Sequence, residues 1–140
     1  MTPLFMLDTN MVSYIVKGRS AMARRQMIES QTGAVVCISS ITEAEIHYGL
    51  CKRPEATALR ERMGWFLASL RVLPWGREEA VAYGSIRAKL ETVGKSIKDM
   101  DLLIAAHAVA AQATLVSNDS AFRQIEGQPI VNWATDLPAN

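Results

Sequence analysis

The chain has 140 residues, and its 49% hydrophobic content is enough to build one compact domain over residues 1–140 with a sizeable core. A formal net charge of +1 excludes binding to a polyanion through the field of the whole chain, so any nucleic-acid contact must come from a local patch. No run approaches the roughly 18 apolar residues of a membrane span, and the N-terminus lacks the pattern of a signal peptide, so we expect a cytoplasmic protein with no membrane contact.

Short apolar runs alternate with helical patterns along the whole sequence. Asp8 or Thr9 can cap the first helix and Ser20 the second, because short polar side chains accept hydrogen bonds from the free N–H groups of a first helical turn. In chain order, we predict a strand at 4–7, helices at about 9–16 and 20–30, a strand at 34–38, helices at about 41–51 and 55–69, a strand at 71–75, helices at about 77–92 and 100–113, a strand from 114 that runs into polar residues at 117–119, a short helix at about 121–125 and a strand at 129–133.

Two of the helical patterns indicate how the layers pack. The helix at 77–92 carries an apolar stripe, and Gly94 after it is the residue expected to terminate the helix. The stripe consists of Tyr83, Ile86, Leu90 and Val93. The helix at 100–113 is apolar nearly all round, which predicts that it is buried. Strands that alternate with helices predict a parallel α/β sheet with helices on both faces.

Two of the predicted strands end on acidic residues. The strand at 4–7 runs into Asp8, and the strand that starts at 114 runs through Ser117 to Asp119. In open parallel sheets, ligands bind outside the carboxyl ends of the strands, so Asp8 and Asp119 should share an edge. Further acids near the starts of helices could reach the same edge: Glu43 or Glu45 in one helix, and Asp99 or Asp101 in another.

The chemistry of this edge follows from the cost of burying carboxylates, which repel one another and need compensation. The sequence places no Lys or Arg beside Asp8 or Asp119. A hard divalent cation with oxygen ligands is the better compensation, namely Mg²⁺ with Mn²⁺ as a substitute. Such an ion polarises phosphates and activates water, which predicts phosphodiester hydrolysis.

Helix capping gives a second explanation for the same acids. Asp8 can act only as a cap, Asp119 can start a turn, and Asp99 suits the first turn of a helix. Two overlapping capping boxes, at 40–43 and 42–45, leave open whether either glutamate is more than a cap. The joint occurrence of the acids favours the functional interpretation.

Other reactive side chains have ordinary structural explanations. His47 and His107 lie on predicted helices, and each is expected to be packed or satisfied by a partner; Cys37 and Cys51 are expected to be reduced, buried thiols. The sequence has no nucleophile elbow and no glycine-rich phosphate loop. Asn10 stands where haloacid-dehalogenase-like phosphatases need a second Asp, and the adjacent acids and late Lys of a receiver domain are not evident.

Four motifs are distributed over the chain. They are FMLDTN at 5–10, ISSITEAEIHYG at 38–49, DLLIAAHA at 101–108 and TLVSNDSAF at 114–122, followed by the ending IEGQPIVNW at 125–133. Together they resemble the motifs of a PIN-domain ribonuclease, and more narrowly those of a VapC-type toxin of a bacterial toxin–antitoxin pair. The resemblance covers essentially the whole chain. It selects Asp8, Glu45, Asp101 and the more variable Asp119 as the acids, with Ser117 in place of a commonly seen Thr.

The resemblance implies a three-layer α/β/α fold around a five-stranded parallel sheet of order 3-2-1-4-5. It implies an acidic pocket in which Asp8, Glu45, Asp101 and Asp119 hold one or two Mg²⁺ or Mn²⁺ ions. Asn10 and Ser117 would then orient carboxylates or water as supporting groups. The activity implied is endonucleolytic RNA cleavage by metal-activated water, with arrest of translation. The RNA substrates of similar toxins include tRNA, and initiator tRNA among them.

The resemblance also implies partners. These are a cognate VapB-like antitoxin, a second copy of the chain in a homodimer, and operator DNA that is bound only through the antitoxin complex. A mean hydropathy of +0.08 is high for a small monomer and also favours a homodimer. Candidate RNA contacts are Lys17, Arg19, Lys52, Arg53 and Lys98, for which solvated surface charge is the competing explanation.

A second hypothesis is a catalytically inactive PIN-fold binding module. In that case the acidic pocket would hold a basic segment of a partner, and RNA would not be cleaved. The complete set of four acids argues against it, because a decayed site should have lost at least one of them.

Overall fold

The computed structural model describes residues 2–139, and helices and strands are numbered in chain order. The elements are β1 (Leu4–Leu7), α1 (Thr9–Val16), α2 (Ala21–Ser30), β2 (Val35–Ser39), α3 (Ser40–Cys51), α4 (Thr57–Ala68), β3 (Arg71–Leu73), α5 (Arg77–Thr92), α6 (Asp99–Ala110), β4 (Thr114–Val116), a 3-10 helix (Ser120–Gln124) and β5 (Ile130–Val131). Within residues 2–139, every helix is too short or too polar to cross a bilayer.

The five strands form one parallel sheet in the order β3-β2-β1-β4-β5, which confirms the predicted topology. The central strand β1 pairs with β2 and β4, so that Phe5 lies opposite Val36 on one side and Thr114 on the other. At the carboxyl ends of β1 and β4, the N–H of Asp8 donates to the carbonyl of Val116 over 3.1 Å. The residues that follow β1 and β4 are therefore neighbours at one edge of the sheet.

Helices cover both faces of this sheet. Leu7 belongs to an apolar cluster that includes buried residues of α1, α2, α3 and α4. Met6 points to the opposite face and belongs to a cluster with buried residues of α5, α6 and the 3-10 helix. Both side chains are fully buried, and each such burial contributes about 1.5–3 kcal/mol. The predicted three-layer α/β/α architecture is confirmed.

The helices begin where polar side chains satisfy their first N–H groups. Asp8 Oδ1 accepts a hydrogen bond of 2.8 Å from the N–H of Met11, and Ser20 Oγ accepts one of 3.0 Å from Ala23. Both caps agree with the sequence. The Asp8 cap also fixes the start of α1 at the edge where β1 ends, because Asp8 directly follows β1.

The alternative that Glu43 or Glu45 closes a capping box is excluded by the start of α3. Helix α3 begins at Ser40, and Ser39 is the capping residue, whose Oγ accepts from the N–H of Ile41 over 3.1 Å. The buried Thr42 therefore occupies the third position of the helix, where a capping box needs its acid. Neither glutamate is needed to start α3.

Two strands are shorter than predicted. The third ends at Leu73 because Pro74 has no N–H to donate, and the N–H of Trp75 bonds to the side chain of Ser40 over 3.0 Å. The fifth is reduced to Ile130–Val131. Helix α6 likewise ends at Ala110, three residues before the predicted end.

Two predictions about side-chain burial are wrong. Val93 is 63% exposed, because α5 ends at Thr92 and Val93 leaves the apolar stripe. Cys51 is also exposed, whereas Cys37 is buried in the sheet as expected. The two thiols are therefore in different environments.

Candidate active site

Asp8 lies at the centre of the edge where the parallel strands end. It is 4% exposed, and its carboxylate accepts hydrogen bonds from the Ser117 hydroxyl and the Met11 N–H. Burial raises the pKa of Asp8 to about 6, and the charges of Asp101 and Asp119 add to this effect, while the two hydrogen bonds oppose it. A cation placed beside such a carboxyl group would stabilise its charged form.

Asp101 lies in the first turn of α6 and is half-buried. Burial raises its pKa, and the neighbouring charges of Asp119 and Glu45 raise it further, while the charge of Lys98 lowers it. Asp101 in turn acts on Asp8. Four acids therefore share one electrostatic neighbourhood: Asp8 after β1, Glu45 on α3, Asp101 on α6 and Asp119 after β4.

Helix α3 contributes Glu45 to this neighbourhood rather than Glu43. Glu45 is half-buried, and its Oε1 accepts a hydrogen bond of 2.5 Å from the hydroxyl of Thr9. Glu43 instead pairs with the exposed His47 one turn later, over 4.0 Å. The geometry thus favours the choice of Glu45 over Glu43.

The alternative acid on α6 is placed differently. Asp99 is exposed, whereas Asp101, two residues later in the same helical turn, is half-buried among the other acids. Asp99 remains explained by its position in the first turn of a helix. The geometry thus favours the choice of Asp101 over Asp99.

Thr9 is a site residue that the sequence reasoning missed except as a helix cap. It follows Asp8 directly and starts α1, so its side chain can reach across to α3. Its place between Asp8 and Asn10 in the first motif was the available signal. The hydrogen bond holds one oxygen of Glu45 and thereby orients the carboxylate.

Ser117 connects the acids that follow β1 and β4. Its hydroxyl bonds to the carboxylate of Asp8, and its Oγ accepts from the N–H of Asp119 over 2.9 Å. Asp119 in turn caps the 3-10 helix by accepting from the N–H of Ala121 over 2.9 Å. Ser117 thus contacts both residues, and its supporting role stays a prediction. Asp119 both caps a helix and acts on Asp8 and Asp101.

The other predicted supporting residue, Asn10, is exposed. No hydrogen bond within residues 2–139 joins its side chain to any of the four acids. Its role in orienting water stays a prediction.

The predicted RNA contacts are all exposed but lie at different distances from the acids. Lys98 immediately precedes α6 and acts on Asp101. The other four follow the ends of α1 and α3, helices of 8 and 12 residues that start at the acidic edge and lead away from it over about 12 and 18 Å. These four are Lys17, Arg19, Lys52 and Arg53. Only Lys98 is brought beside the acids.

The donor set suits a hard divalent cation, since all four side chains offer carboxylate oxygens. Within residues 2–139, none of the four forms an ion pair with Lys, Arg or His. In the same part of the chain, however, no three His, Cys, Asp or Glu side chains converge closely enough to form a preassembled metal centre. The named hydrogen bonds engage Oδ1 of Asp8 and Asp119 and Oε1 of Glu45. Because a carboxylate has two oxygens and several lone pairs, these bonds leave each acid able to bind an ion.

A hydrogen-bond network behind the acids fixes α3 against α6. Nδ1 of the buried His107 lies 2.7 Å from Ser39 Oγ, so a residue of α6 contacts the cap of α3. Trp75 adds a second connection, because its indole N–H donates to the carbonyl of Leu103 over 2.9 Å and its backbone N–H bonds to Ser40. His107 is thus a packed histidine, as predicted, and it lies between the helices that carry Glu45 and Asp101.

Comparison with known proteins finds similar chains and a similar fold. The family model described as "PIN domain" matches residues 5–128. The chain is 32% identical to Ribonuclease VapC2 of Rickettsia felis over 131 residues, which are 93% of this chain and 98% of that protein. It is 30% identical to the tRNA(fMet)-specific endonuclease VapC of Shigella flexneri, again over 93% of this chain and 98% of the relative. A solved structure of VapBC2 from Rickettsia felis, bound to a DNA fragment from its promoter, contains a chain with a TM-score of 0.88 and 32% identity, covering 93% of this chain and 98% of that one.

Proposed function

The chain belongs to the PIN-domain family and is a ribonuclease of the VapC type, and we propose that it is a Mg²⁺-dependent endoribonuclease toxin that arrests translation. The observation that carries the proposal is the electrostatic neighbourhood of four acids at one sheet edge, none of which forms an ion pair with Lys, Arg or His among residues 2–139. PIN-domain ribonucleases generally use divalent metal ions. Mn²⁺ is the substitute expected from the oxygen donor set.

The acids would hold the metal, with Asp8 and Asp101 at the centre and Glu45 and Asp119 beside them. A bound divalent ion supplies neutralisation of phosphate charge and activation of water at neutral pH. Without it, four carboxylates repel a phosphodiester, so RNA cannot settle at this edge. The chain itself positions the acids, since Thr9 orients Glu45 and Ser117 connects Asp8 to Asp119.

The proposal is tested by RNA cleavage with purified protein in Mg²⁺ and in EDTA. We expect activity in Mg²⁺, loss in EDTA, and loss in Asp8→Ala and Asp101→Ala. The matched control is Asp99→Ala, which removes an exposed acid from the same helical turn as Asp101 and should leave activity intact. Full activity of either acid variant, or full activity in chelator, would overturn the proposal.

We further propose that the RNA is a tRNA and that initiator tRNA is among the substrates. The support is the similarity to the Shigella flexneri enzyme, whose name states tRNA(fMet) specificity. Sequencing of RNA ends after brief induction should show a dominant new end in a tRNA. Cuts spread over messenger RNA would contradict the substrate and leave the ribonuclease activity standing.

We also propose that a VapB-like antitoxin binds this chain and that operator DNA is bound only through the complex. The support is the similarity to the toxin chain of a VapBC complex on promoter DNA. Co-expression with a VapB-like antitoxin should restore growth and yield a complex that shifts promoter DNA. The isolated chain should not shift that DNA.

A homodimer is the oligomeric state we propose. Large apolar side chains are exposed on several helices, including Tyr48 at 65%, Trp65 at 68% and Val81 at 75%. Light scattering should give twice the mass of 15.4 kDa. A monomer at micromolar concentration would contradict this state.

A further inference from the structure

A cleft of about 990 Å³ lies between α5 and the segment formed by the 3-10 helix and the residues after it. Part of its lining is apolar and consists of Ile86 and the nearly buried Leu90 and Ile125. None of the four acids lines it. The cleft is therefore a feature distinct from the acidic edge.

The charged side chains of this cleft are mostly cationic. Lys89, Lys95 and Arg123 line it and are exposed, and Glu126 is the acid among the lining residues. Three cations against one anion is a local excess in a chain whose net charge is only +1. A basic patch of this kind provides the local field that a phosphate backbone requires.

One wall of the cleft leads directly to the acidic edge. Asp119 caps the 3-10 helix, and Arg123 lies four residues further along it. At about 2.0 Å of rise per residue, the two are separated by roughly 8 Å along the helix.

The opposite wall also leads to the acidic edge. Lys95 precedes Lys98 by three residues, which span at most about 11 Å of chain. Lys98 acts in turn on Asp101. The two walls are joined where the side chain of Gln124 donates to the carbonyl of Ser96 over 3.2 Å. Each wall of the cleft thus carries a cation, Arg123 or Lys95, on a chain segment that leads from the acids.

We propose that this cleft binds the RNA strand on one side of the bond that is cut, by contacting its phosphates with Lys89, Lys95 and Arg123. The inference rests on the ribonuclease activity proposed above and adds the path of the substrate. No aromatic side chain lines the cleft within residues 2–139, so bases have no stacking platform there. Binding in the cleft should therefore depend on charge and salt and be nearly independent of base sequence.

The experiment measures RNA binding separately from cleavage. Binding is followed by fluorescence anisotropy in an Asp8→Asn background in Mg²⁺, with a labelled single-stranded RNA of about twelve nucleotides of mixed sequence as the probe. Lys95→Gln and Arg123→Gln together should raise the Kd several-fold. They should also reduce the slope of log Kd against log salt by about 1.4, at about 0.7 for each lost phosphate contact.

The matched control removes the same two charges outside the cleft. Arg62→Gln and Arg77→Gln alter exposed residues of α4 and α5 that do not line it, and should leave both the Kd and the salt slope unchanged. In a cleaving background, the cleft variant should raise KM by more than it lowers kcat. Circular dichroism should be the same for all variants, because the substituted side chains are exposed.

The outcomes separate this proposal from the proposed function. Unchanged RNA affinity and salt slope in the cleft variant would overturn the cleft as the strand path, while cleavage by the parent protein would stand. If the variant keeps RNA affinity but loses the antitoxin, the cleft is a protein site and the proposal is wrong. Conversely, a parent protein that binds RNA through the cleft without cutting it would contradict the ribonuclease and leave the cleft supported.

Discussion

The hydroxyl of Thr9 donates to Oε1 of Glu45 over 2.5 Å and so joins α1 to α3 across 36 residues of sequence. Thr9 directly follows Asp8 in the sequence, so the contact connects the end of β1 to the carboxylate of Glu45. A hydrogen bond to a carboxylate is a strong one and restricts how the carboxylate rotates. The hydrogen bond implies that Thr9, as well as helix α3, sets the position of the Glu45 carboxylate.

Replacing Thr9 by Val keeps the shape of the side chain and removes this hydrogen bond. We expect RNA cleavage to fall roughly 10–100-fold, the range typical of residues that orient metal ligands. A Mg²⁺ titration of the rate should show a higher half-saturating concentration. Thr9→Ser is the control, since it retains the hydroxyl and should stay within a few-fold of the parent rate. If Thr9→Val and the parent protein have the same half-saturating Mg²⁺ concentration, the hydrogen bond does not contribute to metal binding.

The raised pKa of Asp8 predicts a stability cost that depends on pH. The pKa of about 6 lies above the ordinary value of 3.8, so the folded state holds the proton more tightly than the unfolded state. The free energy of unfolding therefore falls as pH rises through this window, and the full cost of about 3 kcal/mol is present above pH 6. Below pH 3.8 both states are protonated and the cost vanishes.

Asp8→Asn should remove that cost, because the amide oxygen can still accept from Met11 and carries no charge. In EDTA at pH 7.5, urea unfolding should show the variant to be more stable by up to about 3 kcal/mol, with the difference shrinking toward pH 4. The same variant should lose RNA cleavage. A variant less stable than the parent at pH 7.5 would show that burial does not penalise the Asp8 charge.

Metal binding should stabilise the folded chain because a cation relieves the repulsion among the acids. At a Mg²⁺ or Mn²⁺ concentration about 100 times the Kd, binding contributes about 2.7 kcal/mol, which raises the Tm by roughly 10 °C. Differential scanning fluorimetry with a metal titration measures this shift. Asp101→Asn should reduce it strongly, and Asp99→Asn, at an exposed acid of the same turn, should retain it. A shift of equal size in both variants would place the ion elsewhere.

Much of the fold could be predicted because its determinants are local. Apolar runs mark the strands, and Asp8 and Ser20 cap helices through N–H groups only three residues away. Part of what was missed depends on a distant partner instead. The third strand ends early because Pro74 has no N–H to donate and because the N–H of Trp75 bonds to Ser40, 35 residues before it. Such contacts leave no periodic signal in the sequence.

The site, like the fold, was predictable where its determinants are local. Strand ends give Asp8 and Asp119, but spacing alone left Glu43 and Asp99 open, because the rotation of α3 and α6 about their axes decides which acid faces the edge. Only the motif resemblance selected Glu45 and Asp101. The cationic cleft was not predicted at all, since it requires α5 and the 3-10 helix to be placed side by side.

The contact between Ser39 and His107 should support the stability of the helices that carry Glu45 and Asp101. Ser39→Ala removes the cap of α3 and leaves a buried imidazole nitrogen without its partner. We expect the free energy of unfolding to fall by about 2–3 kcal/mol, the sum of a lost cap and an unpaired polar group. Ser40→Ala, which loses a hydrogen bond to the Trp75 N–H, should cost only about 1 kcal/mol. Urea unfolding of the two variants side by side measures the difference, and equal losses would contradict a special role for Ser39.

The two cysteines should differ in reactivity, because one thiol is buried and the other is exposed. Cys37 is fully buried in β2, and burial raises its pKa to about 12, whereas Cys51 is exposed at the end of α3. The thiolate is the reacting form, so an aromatic disulfide reagent at pH 8 should modify one thiol per native chain quickly and both thiols after unfolding in urea. Cys51→Ser should abolish the fast phase and Cys37→Ser should leave it. A fast phase that survives in Cys51→Ser would show that the sheet opens around Cys37 on the timescale of the reaction.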